Sequence, residues 1–144
     1  GGLFQHGCYY ATHGETMHNG LVVVSFALTD TPENAGGFCC IPGSHKSLYR
    51  TPKRYYSTSD NPLLVHVPVK AGDIIVFTEA LTHGTMRWTE RRFERRAALL
   101  KYCPHYMQWA GAPMDREIEG LTDRQRMIMD GAYVWQRPAL DTTE

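Results

Sequence analysis

Gly72-Asp73-Ile74-Ile75-Val76-Phe77-Thr78-Glu79-Ala80-Leu81-Thr82-His83-Gly84-Thr85 is a short apolar run that opens on a turn and closes on a histidine. Residues 74–77 are too few for a helix, and their β-branched side chains suit a pleated, half-buried surface, so they read as a strand. His83 follows at the strand's end. Gly84, with no Cβ, lets the backbone beside it come close to a neighbour.

Working outward, the same pattern recurs. Residues 21–28 form a buried strand between Asn19-Gly20 and Thr29-Asp30-Thr31-Pro32, and residues 38–41 form another between Gly36-Gly37 and Pro42-Gly43-Ser44. Residues 63–67 and 97–102 complete the set. Short strands spaced by turn chemistry predict a β-sandwich or barrel and not a βαβ sheet. Residues 46–62 are polar, carry Pro52 and Pro62, and read as a surface excursion with one helical turn, of a length that often serves function. A helical period comes only late, where Thr122 can N-cap residues 123–129 with Leu121, Met127 and Ile128 as apolar contacts buttressing the sheet. Residues 138–144 read as a tail.

A chain of 144 residues, 42% hydrophobic, has the size of one domain, here taken as 1–144. Fifteen basic and fifteen acidic residues cancel, and no basic stripe interleaves with aromatics, which argues against nucleic acid or an anionic membrane as partner. No apolar run approaches the roughly 20 residues that span a bilayer, and the start has no secretory pattern, so a soluble, cytoplasmic protein is expected. Cys8, Cys39, Cys40 and Cys103 lack CxxC spacing and read as reduced thiols. Gly1-Gly2 opens on what looks like mid-domain sequence, and residues upstream are expected.

Three features fall in a suggestive order: a histidine with a nearby carboxylate, then His83, then an arginine about a dozen residues further on. A mononuclear iron(II) site takes two imidazoles and one carboxylate on one face and leaves positions open. Arginine, whose planar fork pairs two oxygens at once, suits a carboxylate-bearing cosubstrate.

At Gly36-Gly37-Phe38-Cys39-Cys40-Ile41-Pro42-Gly43-Ser44-His45-Lys46, residues 72–77, Leu81-Thr82-His83-Gly84-Thr85 and Arg95-Arg96-Ala97, the chain resembles the phytanoyl-CoA dioxygenase family. The resemblance covers about residues 18–104. It implies a mainly β fold, the double-stranded β-helix or jelly roll of cupin-like proteins, here with a short C-terminal helix. It also implies iron(II), 2-oxoglutarate as cosubstrate and molecular oxygen, used to hydroxylate a small organic substrate. Within it His83 matches the second metal histidine, Arg95 the clamp on the cosubstrate carboxylate, Thr85 a supporting hydroxyl and Phe26 a bulky side chain against the cosubstrate. Arg96 is the alternative clamp, since strand alternation aims only one of the pair inward.

The family's first metal motif is His-x-Asp, which this chain lacks. His13-Gly14-Glu15 offers the same spacing with a longer carboxylate, on the expectation that residues two apart on a strand share a face. His6 and His18 compete with His13, and the first ligands can also lie upstream of Gly1. Without a carboxylate the site would resemble that of iron halogenases. His45 reads as a hydrogen-bonded turn residue near the pocket rim, His66 and His105 as structural, and Arg91, Arg92 and Glu94 as surface charge. Trp109, after the last strand, is a candidate lid. Two other functions stay open: a non-catalytic jelly-roll binding module that has lost part of the metal site, and a cupin-like metal enzyme without 2-oxoglutarate.

Overall fold

A computed structural model of the chain describes residues 7–57, 61–108 and 118–129. Its strands are β1 (Tyr10–His13), β2 (Thr16–Asn19), β3 (Val22–Ala27), β4 (Gly37–Cys40), β5 (Val65–His66), β6 (Ile74–Thr78), β7 (His83–Met86) and β8 (Ala97–Tyr102), followed by helix α1 (Asp123–Ile128). Two compact units are formed, residues 1–102 with all eight strands and residues 103–144 with α1.

Within the first unit, β1 and β2 make a hairpin, and the other strands form two three-stranded antiparallel sheets in the orders β6-β3-β8 and β5-β4-β7. The sheets meet through aromatic side chains: Phe38 of β4 and Phe77 of β6 lie 4.7 Å apart between ring centroids. This is the expected jelly roll, mainly β with one short C-terminal helix.

Alternation along β3 sets the core. Val23, Ser25 and Ala27 are buried, while Val22, Val24 and Phe26 face the other way and are half-exposed. Leu21, Val23 and Cys39 are fully enclosed, and full burial of an aliphatic side chain such as Val23 contributes about 1.5–3 kcal/mol. The outer face of the same sheet is apolar yet open to water: Ile74 is 54% exposed, Val76 64%, Leu100 46% and Tyr102 53%.

The turn at Gly36-Gly37 is determined by close backbone contact. Both glycines have positive φ, +93° and +95°, and a Cβ on Gly36 would stand 2.1 Å from the carbonyl oxygen of Arg87. His66 Nε2 lies 2.6 Å from the Gly36 carbonyl oxygen and therefore donates to it, the structural role expected of that histidine.

Several expectations change in detail. His83 does not end the strand that contains residues 74–77. The chain turns after β6, with Leu81 N donating to Thr78 O at 3.0 Å and Ala80 N to Thr78 Oγ1 at 3.2 Å, and His83 opens β7 in the opposite sheet, paired with Cys40. The strand read over 63–67 contracts to Val65–His66. Thr122 caps α1 as anticipated, in a capping box with Gln125, but Ile128 is 73% exposed and not in an apolar contact. Trp109 and residues 138–144 lie outside the described residues.

No disulfide joins the four cysteines among the described residues. Burial, followed by the neighbouring Cys40, raises the Cys39 thiol above its ordinary range, so at neutral pH it stays protonated and unreactive. In the native protein Cys39 is expected to resist alkylation by iodoacetamide while denaturant exposes it, a difference that peptide mapping would reveal; rapid native labelling would contradict its enclosure.

Candidate metal and cosubstrate site

His83 sits at the first position of β7, half-buried, with its ring 4.7 Å from that of Phe77 and 5.9 Å from that of Phe38. Its Nδ1 lies 2.8 Å from the Leu81 carbonyl oxygen. A carbonyl can only accept, so Nδ1 carries the proton in that bond and the neutral imidazole presents the lone pair of Nε2. A backbone carbonyl that fixes the tautomer in this way is the usual second partner of a metal-binding histidine. The imidazole therefore fits a metal ion.

Nε2 faces a carboxylate that the sequence reading passed over. Glu79 Oε2 is 3.9 Å away, and Glu79 Oε1 accepts from Lys101 Nζ at 2.6 Å. The Cys8 thiol is near enough to register both groups: burial raises it first, the Glu79 carboxylate raises it further, and Lys101 opposes them.

Beside His83 opens a cavity of about 550 Å³, whose walls include Tyr10, His45, Tyr49, Tyr55, Tyr56 and His83 itself. The 46–62 excursion supplies much of that wall and is not a detached surface loop. It is tied beside the histidine by the Thr51 and Thr82 hydroxyls, 2.6 Å apart, and Thr82 N also donates to Ser44 Oγ, in the turn just before the excursion, at 2.8 Å. His45 does line the cavity, edge-on to Tyr10 at 4.7 Å, but its buried Nδ1 has no hydrogen-bond partner among the described residues, contrary to the satisfied turn residue expected.

Arg95 and Arg96 part company just before β8. Both line a small void between the sheets with Ser25, Thr31 and Phe38, but Arg95 is half-buried and its Nε would lie 3.1 Å from a Cβ placed on Gly37. Arg96 is exposed and donates to Glu94 at 2.8 Å. Phe38 connects the two centres, since its ring stacks on His83 and its side chain also borders the Arg95 void. Thr85, two residues along β7 and opposite Phe38, shares the face of His83 but is exposed. Phe26 lies on the face of β3 opposite to Ser25 and Ala27, so alternation carries it away from the Arg95 void.

His13 and Glu15 are not brought to His83. Gly14 and Glu15 form the tight turn of the β1–β2 hairpin, with Gly14 at φ +59°, so the shared-face argument for an extended strand does not hold there. Both His13 and Glu15 are exposed, and the ring nearest to His13 in the same hairpin is His18, at 5.5 Å. Among the described residues no group of three or more His, Cys, Asp or Glu side chains is placed to hold a metal ion. His6 lies outside the described residues. No helix among the described residues is long and apolar enough to cross a membrane.

Comparison with solved structures shows the same fold. The chain is similar to HygX from Streptomyces hygroscopicus with nickel, 2-oxoglutarate and hygromycin B bound, at 24% identity and a TM-score of 0.62, covering 89% of this chain and 50% of that one. It is also similar to the iron-bound form of HygX, at 24% identity and a TM-score of 0.57, covering 68% of this chain and 43% of that one. The chain thus spans about half the length of the solved structures it matches. No curated protein matches it. The family model for phytanoyl-CoA dioxygenase (PhyH) matches residues 5–97, more than half of the sequence. With the jelly roll, the β7 histidine and the inward arginine already in place, the chain belongs to the phytanoyl-CoA dioxygenase family.

Proposed function

We propose that this chain carries the core of a non-haem iron(II)- and 2-oxoglutarate-dependent dioxygenase that hydroxylates a small organic substrate. The observation that carries the proposal is the orientation of His83: the Leu81 carbonyl holds the proton on Nδ1, which leaves Nε2 as a ligand at the edge of a roomy cavity. HygX, which shares the fold, binds iron in one structure and nickel with 2-oxoglutarate in another, which supports the cofactor choice.

When bound, iron(II) would let molecular oxygen act as the oxidant, one oxygen atom going to 2-oxoglutarate as it is decarboxylated to succinate and the other into a substrate C–H bond. The chain's own part is to bind, orient and exclude water. Arg95, inward and half-buried, is proposed to pair the distal carboxylate of 2-oxoglutarate through both oxygens of the carboxyl group, with the Thr85 hydroxyl in support. The tyrosines of the cavity and the tethered 46–57 loop would enclose the substrate next to His83. A small, uncharged or hydroxyl-bearing molecule suits walls of phenols and hydroxyls. A reducing, cytoplasmic site of action is proposed, where thiols such as the enclosed Cys39 stay reduced.

The test is an anaerobic titration with iron(II) and 2-oxoglutarate, followed by the visible charge-transfer band of the chelated cosubstrate. Wild type is expected to develop the band. Arg95→Gln is expected to need at least ~10-fold more 2-oxoglutarate, since a charge-assisted pair is lost and ~1.4 kcal/mol corresponds to tenfold. Arg96→Gln should titrate like wild type. No band in a folded wild type would favour the second reading, a jelly-roll binding module with an incomplete metal site.

A further inference from the structure

His45 takes no part in the metal and cosubstrate roles assigned above, yet it lines the same large cavity as His83. Its place is set by the backbone around it. Gly43, at φ +78°, turns the chain into the single helical turn Ser44–Lys46, where Lys46 N donates to Gly43 O at 3.0 Å. That turn is fastened to the residue before β7: Ser44 Oγ accepts from Thr82 N at 2.8 Å, and Ile41 N donates to Thr82 O at 2.9 Å. His45 and His83 therefore each stand one residue beyond a member of a directly bonded pair, and one joint carries both imidazoles.

The His45 ring lacks the bond that orients His83. Its Nδ1 is enclosed, and among the described residues neither ring nitrogen has a hydrogen-bond partner. The Tyr10 ring meets it edge-on at 4.7 Å, which gives packing but no oxygen acceptor. An enclosed N–H without an acceptor is rarer in proteins than an acceptor left short of a donor. In the neutral ring the proton thus falls to Nε2, the nitrogen that is not enclosed. The two histidines of the cavity then have opposite characters: His83 presents a lone pair at Nε2, and His45 presents an N–H. Among the described residues that wall the cavity there is no Asp or Glu to take that hydrogen.

We infer that His45 is a substrate-binding residue whose Nε2–H donates to a hydroxyl or carbonyl oxygen of the small molecule in the cavity. Held beside His83 by the Ser44–Thr82 bond, this contact fixes which C–H bond of the substrate faces the metal site. That consequence rests on the oxygenase reading above; the hydrogen bond itself does not. The rival account is a ring that only packs against Tyr10.

A test without metal or cosubstrate can fail separately from the oxygenase reading, which the charge-transfer band decides. Cyclohexanone, an oxygen acceptor with no N–H or O–H of its own and small beside about 550 Å³, is the probe. Long-range proton–nitrogen NMR spectra of the whole chain, with His45 identified by the signals missing from His45→Gln, are expected to show its proton on Nε2 and a shift of that nitrogen as cyclohexanone is added. His45→Phe keeps a ring against Tyr10 but has no donor, so it is expected to bind the probe ~2–10-fold more weakly, the range of one net hydrogen bond. His45→Gln restores an N–H and should recover most of the affinity. In urea His45→Phe is expected to have a midpoint no lower than that of wild type, because it removes an enclosed nitrogen without a partner. A proton on Nδ1 would overturn the assignment, as would equal losses in the two variants. So would a lowered urea midpoint in His45→Phe with unchanged binding, or a folded wild type that does not bind cyclohexanone. In each of these cases a charge-transfer band in wild type would leave the oxygenase reading standing.

Discussion

His83→Ala is expected to abolish succinate formation from 2-oxoglutarate, a loss greater than the ~10–100-fold that follows removal of an outer partner of a metal ligand. The reason is local. His83 lines the cavity, and the Leu81 carbonyl fixes its tautomer so that Nε2 is left to act as a ligand. The substitution should leave the fold standing, because β7 pairs with β4 through its backbone, and alanine removes the hydrogen bond to Leu81 O, worth about 0.5–1.5 kcal/mol, and the ring contacts with Phe38 and Phe77, worth about 0.5–1.5 kcal/mol each. Succinate measured by mass spectrometry, beside a urea denaturation curve, separates the two effects. Unchanged succinate in a folded variant would remove His83 from the site.

The largest effect on stability is expected at Gly36. Gly36→Ala demands a Cβ where φ is +93° and the Arg87 carbonyl oxygen stands 2.1 Å away. A left-handed conformation costs a non-glycine residue about 1–2 kcal/mol and overpacking about 1–3 kcal/mol more. Their sum, about 2–5 kcal/mol, is a large part of the 5–15 kcal/mol typical of a domain. Gly14→Ala is the control: its φ is +59°, yet nothing lies within 4 Å of the added carbon, so only the conformational part applies. In urea the Gly36 variant should show a much lower midpoint than the Gly14 variant; equal midpoints would mean that the 36–37 turn relaxes freely.

The sequence made β3, β4, β6 and β8 readable because each joins β-branched or apolar residues to turn signals at both ends. It hid β1 and β2, whose Thr12, His13, Thr16 and His18 are exposed and show no apolar alternation. It also hid β7, where His83-Gly84-Thr85-Met86 becomes a strand only through its pairing with β4. Alternation separates the arginine pair only by exposure: Arg95 is half-buried and Arg96 exposed, while both border the small void. Glu79 was not legible as a neighbour of His83; it lies four residues before it, and a turn between strands of different sheets brings the side chains together. Phe26 failed for the converse reason: its place in the strand was right, but its parity turns it to the outer face.

That outer face bears on how the protein fails when heated. Ile74, Val76, Leu100 and Tyr102 lie open on a sheet whose outer strands are β6 and β8. Chains that loosen can join through such a surface faster than they close again, and the encounter removes them from the folding equilibrium. Thermal loss is then expected to follow the height of the opening barrier, so that the lifetime at a given temperature reports a rate, and the apparent Tm the heating rate, and neither reports the free-energy difference seen in urea.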